Sequence, residues 1–179
     1  MFTLILGPMK SGKSLELISH VSPHEFSDKK VLYVQPEANV REQGIQSRAG
    51  ISAATMRVHS LAKVPKDFDI IGIDEVHMFP VKDATHIDNW LRSGKSVIVS
   101  GLDLDYRAKM PGIIKYIHQL KPDRIVIKTA TCDVCKKYDA RFTQILRNKK
   151  PITSGLPSVV PEDGTYDYQA RCRECFIKQ

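Results

Sequence analysis

Two clusters of residue types in this chain have spacings that make chemistry possible. The first is residues 7–14, Gly7-Pro8-Met9-Lys10-Ser11-Gly12-Lys13-Ser14, which matches G-x-x-x-x-G-K-[ST] at every fixed position. Glycines at both ends let the backbone wrap so that its N–H groups converge on phosphate oxygens. The helix that follows adds the positive end of its dipole. In such a loop Lys13 reaches the β- and γ-phosphates of a nucleoside triphosphate, and the Ser14 hydroxyl ligates Mg²⁺. Lys10 has two readings, a phosphate contact from inside the loop or a side chain in solvent. The second cluster is Asp74-Glu75, at the end of the apolar run DIIGID. Asp74 suits Mg²⁺ held through water. Glu75 suits a general base facing a nucleophile next to the γ-phosphate. That nucleophile is water in an ATPase and an alcohol in a kinase. The bland alternative is a Glu75 that caps a helix or faces solvent. His77 either orients a substrate or fills a turn. Arg107 either stabilises charge on a transferring phosphoryl group or lies on the surface.

All four cysteines fall in the last third, as Cys132-x-x-Cys135 and Cys172-x-x-Cys175. Two such pairs fit a closed tetrahedral Zn²⁺ site of four thiolates, which has no open position for water and is therefore structural. Two disulfides or an iron–sulfur cluster are the alternatives. A zinc at these residues ties the end of one region to the C-terminal tail and makes a tethered loop of everything between the pairs.

Elements must position these groups. The pattern predicts strands at 2–6, 30–35, 69–74, 95–100 and 124–129, and helices from Ser14 to Val21, over 81–93 and over 111–120. Residues 36–58 read as polar and irregular. Alternation of strand and helix implies a parallel sheet with helices on both faces, as in P-loop nucleotide-binding proteins. Ligands in such sheets sit at the carboxyl ends of the strands, where both the loop and the acid pair fall. The expected division is an α/β nucleotide-binding domain at 1–128 and a small zinc-binding subdomain at 129–179, with a long loop from 148 to 168.

The chain's 179 residues support one sizeable core, and 42% hydrophobic with 26% charged residues is ordinary for a soluble protein. The longest apolar runs are far short of the roughly 20 residues that span a bilayer, and no basic leader precedes Phe2, so a cytoplasmic protein without membrane contact is expected. A net charge of +7 suits a polyanionic ligand. Basic and aromatic residues do not interleave, so nucleotide phosphates are favoured over nucleic acid as the partner.

Taken in order, these residues resemble the thymidine kinase family of the zinc-containing, P-loop type. The resemblance rests on Gly7 through Ser14 with Leu15-Glu16-Leu17-Ile18, on Asp74-Glu75 followed by Phe79, and on Gly101-Leu102-Asp103 with Asp105-Tyr106-Arg107. It continues through Cys132-x-x-Cys135 with Ala140 and Phe142-Thr143, then Tyr168-x-x-x-Cys172-Arg173-x-Cys175. It implies transfer of the ATP γ-phosphoryl group to the 5′-hydroxyl of thymidine or deoxyuridine, with Glu75 as the base. It also implies a homotetramer inhibited by the end-product triphosphate. Met9, Met78, Tyr106, Thr143 and Tyr168 would lie about the nucleoside, under a lasso formed by the loop between the cysteine pairs. Several positions depart from the family pattern. Asp163-Gly164 stands where a Gly-Gly pair is usual, Asn39-Val40-Arg41 where an acidic residue begins the triplet, and His77-Met78 where Gln-Phe is usual. Tyr106 replaces a commoner phenylalanine, and Pro111 another. The departures cluster on nucleoside recognition, which leaves a shifted pyrimidine preference open. A P-loop ATPase with a zinc ribbon acting on nucleic acid, and a non-catalytic nucleotide-binding relative, are the other readings.

Overall fold

A computed structural model describes residues 1–39, 45–46, 52–160 and 164–178. Its centre is a six-stranded sheet made from β1 (Phe2–Leu6), β2 (Val31–Pro36), β5 (Met56–Val58), β6 (Ile70–Ile73), β7 (Ser96–Gly101) and β8 (Arg124–Ile127). The spatial order is β5-β2-β6-β7-β1-β8, and every pairing is parallel. A parallel strand inside such a sheet is covered on both faces, so it reads as a continuous apolar run. All five residues of β1 are buried. Its side chains alternate between two cores. Phe2, Leu4 and Leu6 join one with Ile87, Trp90, Ile113, Ile114 and Ile117, and Ile5 joins the other with Leu17, Ile18, Val21 and Tyr33. Helix α1 (Lys13–Val21) therefore covers one face, and α2 (Ala84–Arg92) with α3 (Gly112–Gln119) covers the other. The expected helices on both faces are present.

Three boundaries differ from expectation, each for a physical reason. The helix expected from residue 81 opens with a 3₁₀ turn at Val81–Asp83 before α2 begins. Asp83 leaves its own helix end uncapped because its carboxylate accepts Leu61 N–H at 2.7 Å and the Ser60 hydroxyl at 3.0 Å. Residues 36–58 contain β5, an edge strand of only three residues, and a two-residue pair β3 (Ile45–Gln46) with β4 (Ser52–Ala53). Segments that short carry no readable period. The third difference lies in the C-terminal region. There β9 (Phe142–Arg147), β10 (Lys150–Ile152) and β11 (Asp167–Arg171) form an antiparallel sheet in the order β10-β9-β11. Part of the expected 148–168 loop is thus a hairpin strand. Strand β9 buries Thr143 and Gln144 between apolar neighbours, which hides its alternation. Gln144 is satisfied there, its Oε1 accepting Ile177 N–H at 2.9 Å. Of the departures noted above, Val40, Arg41 and Asp163 lie outside the described residues.

Candidate active site

The parallel sheet sends the chain out of β1, β6 and β7 on one edge, and the candidate residues meet there. The loop after β1 turns on its two glycines. Gly12 sits at φ 78° and ψ 25°, left-handed, directly before α1, where any other residue is strained. Gly7 has a different constraint: a Cβ there would lie 2.7 Å from the Lys128 carbonyl oxygen and 2.9 Å from Ser11 Oγ. Lys13 is buried, and its ammonium donates to the Pro8 carbonyl at 2.8 Å, so the loop supplies the ammonium with an acceptor of its own. The Ser11 hydroxyl donates to the same carbonyl at 2.8 Å.

The acid pair follows β6. Asp74 is buried. Its Oδ2 accepts the Ser14 hydroxyl at 2.8 Å, and its Oδ1 accepts a short hydrogen bond from the Ser100 hydroxyl. Burial, and then the neighbouring Glu75 charge, push its pKa up to about 6 against the opposing hydrogen bonds from Ser100 and Ser14. A hard oxygen pair from Ser14 and Asp74, in a buried place that penalises the bare carboxylate, fits a divalent cation. Glu75 adopts a left-handed backbone, φ 50° and ψ 40°. A non-glycine residue holds that conformation at a cost of about 1–3 kcal/mol. The turn separates two consecutive carboxylates, sending Asp74 towards the loop and Glu75 towards His77. His77 Nδ1 lies 3.2 Å from Glu75 Oε2 and accepts Leu102 N–H at 3.2 Å. Burial, reinforced by the Lys13 charge, holds the imidazole down at about 3, so it is neutral.

The remaining candidates have specific partners. Thr143 Oγ1 accepts Met9 N–H at 3.1 Å, which ties β9 to the phosphate loop. Lys10 is exposed and ion-paired. Its Nζ lies 2.7 Å from Asp133 Oδ2, inside the first cysteine pair, and the same oxygen accepts Ala170 N–H at 2.7 Å. Met78 closes the 3₁₀ turn Val76–Met78 and is half-buried. The Tyr168 hydroxyl donates to the Val160 carbonyl at 3.1 Å. The Tyr106 hydroxyl donates to the Leu156 carbonyl at 2.7 Å and accepts Leu156 N–H at 3.0 Å. Arg107, considered above for the transferring phosphoryl group, is already engaged. Its Nε and Nη2 bind Asp105 Oδ2 at 3.0 and 2.7 Å, and Nη2 also reaches Ser158 Oγ at 2.7 Å. Sequence reasoning passed over Ser100, Asp133 and Ser158. Only Ser100 left a signal, a hydroxyl at the end of an apolar strand just before Gly101-Leu102-Asp103.

The four cysteine sulfurs all lie within 4.8 Å of one another. Cys132 and Cys172 are buried with Ala130, Ala140 and Ala170. Burial opposes ionisation of Cys132, but N–H groups of Cys135, Cys172 and Val134 aimed at its sulfur outweigh that and bring its pKa down to about 6. The contact with Cys172, together with desolvation and the other sulfurs, drives Cys175 up to about 12. Four crowded sulfurs cannot all be thiolates unless a cation lies among them, so the donor set fits Zn²⁺.

A parallel sheet with a glycine-rich phosphate loop after its first strand, and an acid pair at the end of a strand two places away, defines a P-loop nucleotide-binding protein. The model of the thymidine kinase family matches residues 1–176. The chain is 32% identical over 181 residues to a thymidine kinase of Mycoplasma mobile, covering 98% of this chain and 86% of that one. It is 30% identical over 186 residues to a thymidine kinase of Pyrobaculum aerophilum, covering 99% and 98% of the two chains. A thymidine kinase of Thermococcus kodakarensis is 32% identical over 182 residues, with 96% and 91% covered. The chain belongs to the thymidine kinase family. Among solved structures it overlays on the cytoplasmic domain of the type VII secretion ATPase EccC of Thermomonospora curvata with a TM-score of 0.44 and 14% identity, covering 99% of this chain and 24% of that one, a likeness too slight to bear on function. Among the described residues, no helix is long and apolar enough to cross a membrane.

Proposed function

We infer that this protein is a thymidine kinase, transferring the γ-phosphoryl group of ATP to the 5′-hydroxyl of thymidine. The observation that carries this reading is the meeting of the phosphate loop with the acid pair. Ser14 touches Asp74 at 2.8 Å, and Glu75 follows directly in a strained turn that sends its carboxylate elsewhere. Phosphoryl transfer needs positioning and charge stabilisation more than covalent chemistry from the protein. The loop amides and Lys13 would bind the triphosphate, with Lys13 exchanging the Pro8 carbonyl for phosphate oxygens. Glu75 would accept the 5′-hydroxyl proton as the oxygen attacks phosphorus. Ser14 and Asp74 would hold Mg²⁺, which when bound neutralises charge on the phosphates. Zn²⁺ at Cys132, Cys135, Cys172 and Cys175 would be structural, fixing the strand that carries Thr143 and the one that carries Tyr168. Met9, Met78, Tyr106, Thr143 and Tyr168 remain the proposed surroundings of the nucleoside. A homotetramer, a cytoplasmic location and a division at 128/129 are proposed on the family resemblance, and sedimentation tests the first.

A nucleoside panel with labelled ATP and Mg²⁺ tests the reaction. Phosphorylated thymidine or deoxyuridine, with the product lost in Lys13→Ala, is the expected outcome. ATP consumed with no nucleoside labelled would instead indicate an ATPase.

A further inference from the structure

The segment 105–107 and the segment 156–158 are about fifty residues apart in sequence, yet they are joined by a dense set of hydrogen bonds. The Tyr106 ring is buried, and its hydroxyl both donates to the Leu156 carbonyl, at 2.7 Å, and accepts the Leu156 N–H, at 3.0 Å. A phenol that pairs with both polar groups of one residue fixes that backbone in position and direction. Ser158 adds a second tie. Its hydroxyl donates to Asp105 Oδ2 at 3.1 Å and accepts from Arg107 Nη2 at 2.7 Å. Asp105 is prepared for this by its own turn, where Oδ1 accepts the N–H groups of Arg107 and Lys109, both at 2.9 Å. Burial would raise the Asp105 pKa, but the hydrogen bonds from Lys109, Arg107 and Ser158 outweigh it and hold the carboxylate below its usual range. The Arg107 guanidinium carbon also lies 5.3 Å from the centre of the Tyr106 ring, which keeps the ring from swinging out.

We propose that Asp105, Tyr106 and Arg107 form a fastener that holds the near arm of the lasso, residues 156–158, in its substrate-binding position before any nucleoside arrives. They act as positioning residues and set nucleoside affinity through the loop. The proposal rests on the thymidine kinase reading for the identity of the ligand, although the fastening itself does not depend on it. A loop ordered in advance has less conformational freedom to lose on binding, so affinity rises without any new contact to the ligand. Phenylalanine at position 106 would keep the ring and lose the fastener. The Tyr106 hydroxyl, present where a phenylalanine is commoner, is turned to the loop backbone.

The test compares wild type with Tyr106→Phe by hydrogen exchange and by steady-state kinetics. Without nucleoside, the Leu156 amide and its neighbours through residue 158 should exchange about tenfold faster in the variant, the equivalent of about 1.4 kcal/mol. The KM for thymidine should rise by about the same factor, while the KM for ATP and kcat stay within about twofold. Unchanged exchange at Leu156 overturns the fastener, whatever the kinetics. Faster exchange with an unchanged thymidine KM overturns its role in affinity. A wild type inactive on every nucleoside removes the kinase reading and leaves the exchange comparison to decide the fastener alone. Should Tyr106→Phe not fold, Ser158→Ala removes the second tie from an exposed loop. It should shift exchange and thymidine KM in the same direction by about threefold, and no shift in either would likewise overturn the proposal.

Discussion

The phosphate side of this molecule and its nucleoside side are built by different means. On the phosphate side, Gly7 through Ser14 is one continuous stretch, and Asp74-Glu75 is another. Parallel strands deliver both to the same edge, and Ser100 at the end of β7, the strand between β6 and β1, joins them through Asp74. The proposed nucleoside side is assembled from short pieces far apart: Asp105-Tyr106-Arg107, Thr143, the loop around Leu156 and Ser158, and Tyr168. Its scaffold is a three-stranded sheet fixed at one end by four cysteines. The first side is set by two contiguous stretches whose geometry is local. The second lets a hydroxyl gained at Tyr106 or an imidazole at His77 find new partners while the fold stays the same. Among the described residues, the departures at Tyr106 and at His77 and Met78 fall on the second side and on the turn after the acid pair.

Removing the scaffold gives the largest difference between the sides. In Cys172→Ala, zinc content should fall and amides of β9 and β11 should lose protection from exchange, because structural zinc contributes folding energy on the order of 10 kcal/mol. The six-stranded sheet should keep its protection and still bind ATP analogues. Simultaneous melting of both regions would show that they are one cooperative unit. Next in size is Glu75→Gln, which leaves both sides folded and should lower kcat by about 10²–10⁴ with little change in either KM. A variant turning over near the wild-type rate would remove Glu75 from the chemistry.

Thr143 sits where the two sides touch, so it sharpens the comparison. Thr143→Val keeps the shape but leaves Met9 N–H without its acceptor, which costs about 1–3 kcal/mol. If Thr143 serves mainly to hold the phosphate loop, the KM for ATP should rise by roughly tenfold, and more than the KM for thymidine. The reverse order would place Thr143 with the nucleoside. The smallest effect expected is in His77→Gln. The imidazole is held near 3 in the folded protein, below the about 6.5 of an exposed histidine. The unfolded chain therefore binds more protons between those values, and stability falls as pH drops through that window. Asp74, raised to about 6, contributes with the opposite sign, gaining stability as pH falls towards its ordinary value near 3.8. The informative quantity is thus the difference between variant and wild type. Between about pH 6.5 and 5.5, wild type should lose about 1 kcal/mol relative to His77→Gln in denaturant melts. Equal slopes would mean that the ring takes up its proton in the folded state.

The local pattern settled much of this protein. A glycine-lysine-serine loop between an apolar strand and an amphipathic helix, an acid pair ending another apolar strand, and two cysteine pairs are all short-range signals. Local sterics and parallel-sheet burial give each of them a place in the fold. Even the positions of the helices on both faces follow from the alternation of elements. The tertiary structure alone decided the rest, since it depends on contacts between residues distant in the chain. Nothing near Lys10 announces Asp133, and nothing near Tyr106 announces Leu156. Nothing near Thr143 announces that its hydroxyl accepts Met9 N–H. A hydrogen bond across a hundred residues leaves no periodicity, and a polar side chain buried in a strand disguises the period that would have revealed the strand. Only when β1, β6 and β7 are laid side by side does it become visible which hydroxyls, carboxylates and backbone amides satisfy one another.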